Sequence, residues 1–139
     1  MFYAAKIEKD RELGFVVSFP DLPNVNAFGA TKKEALKMAE EALNGSLEVD
    51  LDRGMTLIEP RTMPDEDRGL FAIDVKPELE IAYKLFEARR GMKKADVARR
   101  AGISPQAYQR FETTKNSHTV ATLYKLAKAM GKRLEISLV

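Results

Sequence analysis

At 139 residues, with 23 Lys/Arg against 21 Asp/Glu, the chain is one large domain or two small ones and carries a formal net charge of +2. It has no cysteine and one histidine, His118, which excludes a disulfide frame and a zinc site built on sulfur and leaves a Ser-His-Asp triad little to work with. The opening MFYAAKIEKD reaches charge too soon for a secretion signal, and no apolar run approaches the ~20 residues of a membrane span, so a cytoplasmic location without membrane contact is expected. The charge is divided. Residues 1–77 hold 10 Lys/Arg and 15 Asp/Glu, a net of −5, whereas residues 78–139 hold 13 and 6, a net of +7. A basic half suits a polyanion such as DNA, and an acidic half suits a basic protein partner or keeps the chain soluble.

The amino-terminal elements are predicted as strand, strand, strand, helix, strand. Phe2 to Glu8 is a strand with weak alternation, and Lys9 to Gly14 turns it into the strand Phe15 to Phe19. Pro20-Asp21-Leu22-Pro23 ends that strand, since neither proline can donate to a ladder, and Val25 to Phe28 forms a short third strand stopped at Gly29. Thr31 with Glu34 three residues later is a capping box. It opens a helix with apolar positions Ala35, Met38, Ala39, Ala42 and Leu43, running toward Leu51 and ending by Gly54. The segment Glu59 to Gly69, EPRTMPDEDRG, is a linker, Leu70 to Val75 a strand, and Lys76-Pro77 a break. The expected domains are therefore 1–77, a small mainly antiparallel sheet with one packed helix, and 78–139. Together they make an α+β chain.

The run KADVARRAGISPQAYQRF, Lys94 to Phe111, reads as a helix-turn-helix unit. Gly102 sits where the backbone must bend, Ala98 is small enough for a close helix crossing, and Ser104-Pro105 is an N-cap followed by a proline at the first helical position. Val97, Ala101, Ile103, Tyr108 and Phe111 would fill the angle between the helices. Gln106, Gln109 and Arg110 would face outward, and such side chains can make paired hydrogen bonds to adenine and guanine edges in a major groove.

The order GFVVSFPDLPNVNAFGATKKEALKMAEEAL resembles the HicB antitoxin family over about residues 1–75: a glycine and aromatic strand, an acidic Phe-Pro-Asp-Leu-Pro corner, a short strand, Gly-Ala-Thr and a capped helix. Residues 78–131 resemble the lambda-repressor-like (Xre-type) DNA-binding domain, which some HicB antitoxins carry. The resemblance implies an amino domain of degraded ribonuclease-H-like fold. It implies as partner a small basic HicA toxin, an mRNA-cleaving ribonuclease that the antitoxin covers and inhibits, with Phe19, Asp21 and Leu22 at the acidic corner as candidate toxin contacts. Ribonuclease-H chemistry would need a carboxylate on the first strand, but Tyr3-Ala4-Ala5 holds none. This half is thus expected to be a binding module, with no catalytic residues, cofactor or metal.

Carried over residue by residue, the Xre-type resemblance makes Gln106, Gln109 and Arg110 the base readers. Lys93, Lys94, Ser104, Lys115 and Asn116 become the phosphate contacts. Val120, Leu123, Ala127 and Met130 would continue the core, with Gly131 after the last helix. Glu87 departs from the pattern: many members have arginine there, paired with the residue at Glu112. The two carboxylates call for neutralisation by Arg90 or Arg110. The tail Leu134 to Val139 alternates like a strand with nothing nearby to pair with, which suggests a homodimer or tetramer joined through it on double-stranded operator DNA. The resulting expectation is an antitoxin that also represses its own operon. The alternative is a repressor whose amino domain senses a small ligand and has no toxin partner.

Overall fold

The computed structural model describes residues 1–113 and 118–139. The chain forms two compact units, Met1–Pro77 and Glu78–Val139. Among the described residues no helix is long and apolar enough to cross a membrane.

In the first unit a four-stranded antiparallel sheet is built from β1 (Phe2–Asp10), β2 (Gly14–Phe19), β3 (Leu22–Gly29) and β4 (Leu70–Asp74), in the order β3-β2-β1-β4. One long helix, α1 (Lys32–Asp52), packs against it, so the α+β arrangement is the observed one. β1 and β2 pair from Lys6↔Ser18 to Asp10↔Gly14, with Glu12 and Leu13 donating their backbone N–H groups to the Asp10 carboxylate in the turn. Tyr3, Ala4 and Ala5, in the first half of β1, are all fully buried.

The third strand is longer than the sequence suggests. It begins at Leu22 and runs through Pro23, and its register with β2 shifts between Ser18 and Phe19. An outermost strand tolerates a proline because its missing donor costs no ladder bond on the open side. At the end of β3 a side chain on Gly29 would lie 2.4 Å from the Ala35 nitrogen, so only glycine lets the strand meet the first turn of α1 this closely.

α1 starts as its capping residues require. Thr31 Oγ1 accepts from the Glu34 N–H at 3.1 Å, and the Glu34 carboxylate reaches back to the Ala30 N–H at 3.3 Å, one residue earlier than the usual box. Ala35, Ala39, Leu43, Leu47 and Leu51 form its buried face, and each fully buried leucine contributes about 1.5–3 kcal/mol. Met38, expected on that face, is 40% exposed instead. The buried polar residue Asn44 had no signal in the apolar spacing. Its Nδ2 donates to the Glu40 and Asp74 carbonyls, and its Oδ1 accepts from the Lys76 N–H at 2.8 Å, tying α1 to the end of β4. Just before the linker the Tyr3 hydroxyl donates to the Ile58 carbonyl, and within it a 3-10 turn covers Glu66–Arg68.

Among the described residues the second unit holds four helices: α2 (Pro77–Ala88), α3 (Lys94–Ala101), α4 (Pro105–Phe111) and α5 (Val120–Ala129). Leu85, Val97, Ala98, Tyr108, Leu126, Ala129 and Met130 make its core, with Ala101, Ile103, Phe111 and Leu123 partly buried around it. Val120, expected in this core, is 61% exposed, because α5 turns Leu126 and Ala129 inward. The tail after Met130 forms no strand in the single chain, and Ile136 and Leu138 stand 63% and 98% exposed. A strand needs a ladder partner, and among the described residues the tail pairs with none.

Candidate nucleic-acid interface

The helix-turn-helix is set by three local devices. Gly102 caps α3 in the left-handed region at φ 73°, where its N–H satisfies the Ala98 and Arg99 carbonyls. Ile103 then donates to the Ala98 carbonyl at 3.0 Å, closing the turn. Ser104 caps α4, its Oγ accepting from the Ala107 N–H at 3.0 Å, and Pro105 takes the first helical position. Tyr108 is fully buried and Phe111 half-buried on one side of α4. On the other, Gln106, Gln109 and Arg110 are exposed, and their spacing of three and four residues places them in one stripe.

Beneath that stripe lies a buried ionic cluster. The Glu112 side chain is only 3% exposed. Arg89 grips it with two hydrogen bonds, Nε to one carboxylate oxygen and Nη2 to the other at 3.1 Å, while Nη1 donates to the Met92 carbonyl at 3.0 Å. The Tyr108 hydroxyl donates to Glu112 Oε1 at 2.6 Å. Neutralisation of Glu112 thus comes from Arg89, which the sequence alone does not single out. Arg89 follows the last turn of α2, which directs it into the core, whereas Arg110 lies on the outer face of α4. Among the described residues Arg110 forms no ion pair.

The cluster has a titration signature. The Glu112 hydrogen bond raises the Arg89 guanidinium above its ordinary value, against the effect of burial. Burial first, and then the bonded Glu112 carboxylate, push the Tyr108 hydroxyl well above its ordinary 10.0. A phenol whose folded pKa is raised contributes stability that is complete below the unfolded value and lost as pH rises through the folded one. Stability should therefore fall above about pH 10, and Tyr108→Phe should flatten that slope in urea unfolding between about pH 9 and 11.

Of the expected phosphate contacts, Lys93 is the N-cap residue of α3 and makes no side-chain cap bond, and Lys94 opens the helix. Lys94 Nζ donates to Gln109 Oε1 at 2.6 Å and lies 3.8 Å from Glu112, so it joins the helix start to the outward stripe. Lys115 and Asn116 lie outside the described residues. His118, read as a loop residue, is half-buried just before α5, with Nε2 3.0 Å from the Phe111 carbonyl oxygen.

The candidate toxin contacts sit in the other unit. Phe19 and Leu22 are 2% and 7% exposed, so their side chains belong to the core. Asp21 is a latch for the linker: its carboxylate accepts from the Arg61 and Thr62 N–H groups, both at 2.8 Å, and from the Thr62 hydroxyl at 2.9 Å. Burial pushes its carboxyl up, and the bonds from Thr62 and Arg61 outweigh that and hold it below the usual range. Among the described residues no group of three or more histidine, cysteine or carboxylate side chains is placed to hold a metal ion.

Comparison with known proteins gives a consistent pattern. Residues 3–68 match the family described as HicB-like antitoxin of bacterial toxin-antitoxin system, and residues 82–136 match a helix-turn-helix family. The chain is 30% identical to Antitoxin HicB 2 of Photorhabdus laumondii subsp. laumondii over 138 residues, covering 98% of this chain and 95% of that protein. It is 29% identical to Antitoxin HicB 1 of the same organism, covering 99% and 87%. Among solved structures it is similar to the Burkholderia pseudomallei antitoxin HicB, at 22% identity and a TM-score of 0.49 over 57% of this chain and 66% of that one.

Proposed function

This chain belongs to the HicB antitoxin family and carries a helix-turn-helix DNA-binding domain, and from that premise we propose a division of labour between its halves. Residues 1–77 bind and inhibit a HicA-like mRNA-cleaving ribonuclease, and residues 78–139 bind the operator of the chain's own operon and repress it. The observation that carries the second part is the exposed stripe Gln106, Gln109 and Arg110 on α4, with Lys93 and Lys94 at the start of α3. A net charge of +7 on residues 78–139 favours a polyanion, through release of condensed counterions. Lys94 and the open N-terminal amides of α3 suit a phosphate, and a phosphate drawing Lys94 away frees Gln109 to face a base. For the first part the support is family membership together with a net charge of −5 on residues 1–77, which suits a small basic toxin. The exposed tail supports assembly of two chains on one operator.

Co-expression with a HicA-like toxin should relieve growth arrest and yield a stable complex, and the chain should retard its own promoter DNA. Gln106→Ala and Arg110→Ala should each weaken specific binding by about 1–3 kcal/mol while leaving nonspecific binding nearly unchanged. Lys93→Ala should weaken binding to all sequences and reduce its salt dependence. Equal losses on operator and random DNA for Arg110→Ala would assign that residue to the backbone instead.

A further inference from the structure

The amino-terminal unit carries a groove that neither the DNA-binding stripe nor the Asp21 latch uses. It runs between α1 and the end of β3 and has a volume of about 700 Å³. Large apolar side chains open into it: Phe28 is 58% exposed, Leu13 46% and Met38 40%. Apolar surface gathered in a polar rim marks an interaction site rather than scattered exposure. The rim here is acidic. Glu12 comes from the turn between β1 and β2, and Glu34 and Glu41 come from α1, one turn before and one turn after Met38. Among the described residues lining the groove none is cationic.

The opposite wall has a second property. Five consecutive residues, Asn26 to Ala30, line it. Side chains alternate between the two faces of a strand, so consecutive residues share one groove only where the backbone edge itself forms the wall. β3 is outermost in the sheet, with β2 as its single ladder neighbour. An outermost strand offers N–H and C=O groups to an added strand.

We propose that this groove docks an extended basic segment of the toxin. Its backbone pairs with the edge of β3, an apolar side chain enters among Phe28, Leu13 and Met38, and flanking lysine or arginine side chains meet Glu12 and Glu41. The inference rests on the reading that residues 1–77 bind a toxin, and it names where and by what chemistry. Charge selects the occupant: three carboxylates on a unit of net charge −5 repel a nucleic acid and attract a cationic peptide.

The test uses the full-length chain and a catalytically inactive form of its HicA-like toxin, with affinity measured by calorimetry at two salt concentrations. Phe28→Ala should weaken binding by roughly 10-fold or more, as expected of an aromatic anchor. The pair Glu12→Lys/Glu41→Lys should weaken it by a similar factor and flatten its salt dependence. A control reversal at exposed sites away from the groove, Asp52→Lys/Glu59→Lys, should stay within about threefold. All three variants alter exposed side chains and should keep the wild-type melting temperature. If the wild type fails to bind the toxin, the functional reading falls and the groove assignment falls with it. If the wild type binds and both groove variants bind as tightly, the groove assignment alone is overturned. Lost self-association with unchanged toxin binding would also overturn it, giving the groove to a second copy.

Discussion

Glu112→Ala will destabilise the carboxyl-terminal unit by about 3–5 kcal/mol, because it strands a charge rather than merely deleting a contact. The Arg89 side chain is 15% exposed and that of Glu112 only 3%, so water cannot replace the lost carboxylate. The guanidinium would keep the Met92 carbonyl and the Phe86 ring but no anion, and the Tyr108 hydroxyl would lose its acceptor at 2.6 Å. Arg89→Ala strands the opposite charge, with Lys94, 3.8 Å away, as the remaining cation. Arg89→Lys should also be costly, since an ammonium cannot reproduce the two-pronged grip. The double variant Arg89→Met/Glu112→Met should recover part of the loss, because apolar replacements of similar volume leave no buried charge. Urea unfolding of the full chain measures all four. Losses of under about 1 kcal/mol for both alanine variants would mean the pair behaves as a solvated one.

Removing Leu134 to Val139 will leave toxin inhibition intact and weaken binding to a palindromic operator by roughly 10²–10⁴-fold, the range lost when two linked sites become one. Ile136 and Leu138 are 63% and 98% exposed and only Leu134 of the tail is half-buried among the described residues, so its removal should leave the helical core folded. Its alternation leaves apolar side chains and backbone groups to be satisfied, and the same strand of a second chain satisfies both. Two chains joined there could set their α4 helices in successive major grooves, about 34 Å apart. Light scattering and fluorescence anisotropy on whole and half operators provide the check. A truncated chain that stays dimeric and binds the palindrome as tightly would remove the tail from assembly.

Much of the fold could be read from local chemistry. The capping box at Thr31 and Glu34, the left-handed Gly102 and the Ser104-Pro105 start of α4 act over three or four residues, which is the range over which sequence alone specifies conformation. Features needing a partner distant in sequence were harder. Which arginine reaches Glu112 depends on where α2 ends, and Arg89 is the first residue past that end. The start of β3 at Leu22 depends on its outermost place in the sheet, which makes Pro23 acceptable. Phe19 and Leu22 resemble surface corner residues in sequence but pair across the register shift and point inward. The groove at Phe28 had no sequence signal, because Glu12, Met38 and Phe28 converge only once α1 has packed against the sheet.

The division of labour stands or falls on inhibition of the toxin, and cleavage of mRNA by a HicA-like toxin, titrated with the full-length chain, measures it directly. Cleavage should fall to zero as the chain reaches stoichiometric equivalence, and DNA binding through α4 should not be required, so Arg110→Ala should inhibit as well as wild type. Undiminished cleavage in the presence of excess folded chain would contradict the assignment of residues 1–77 to toxin inhibition.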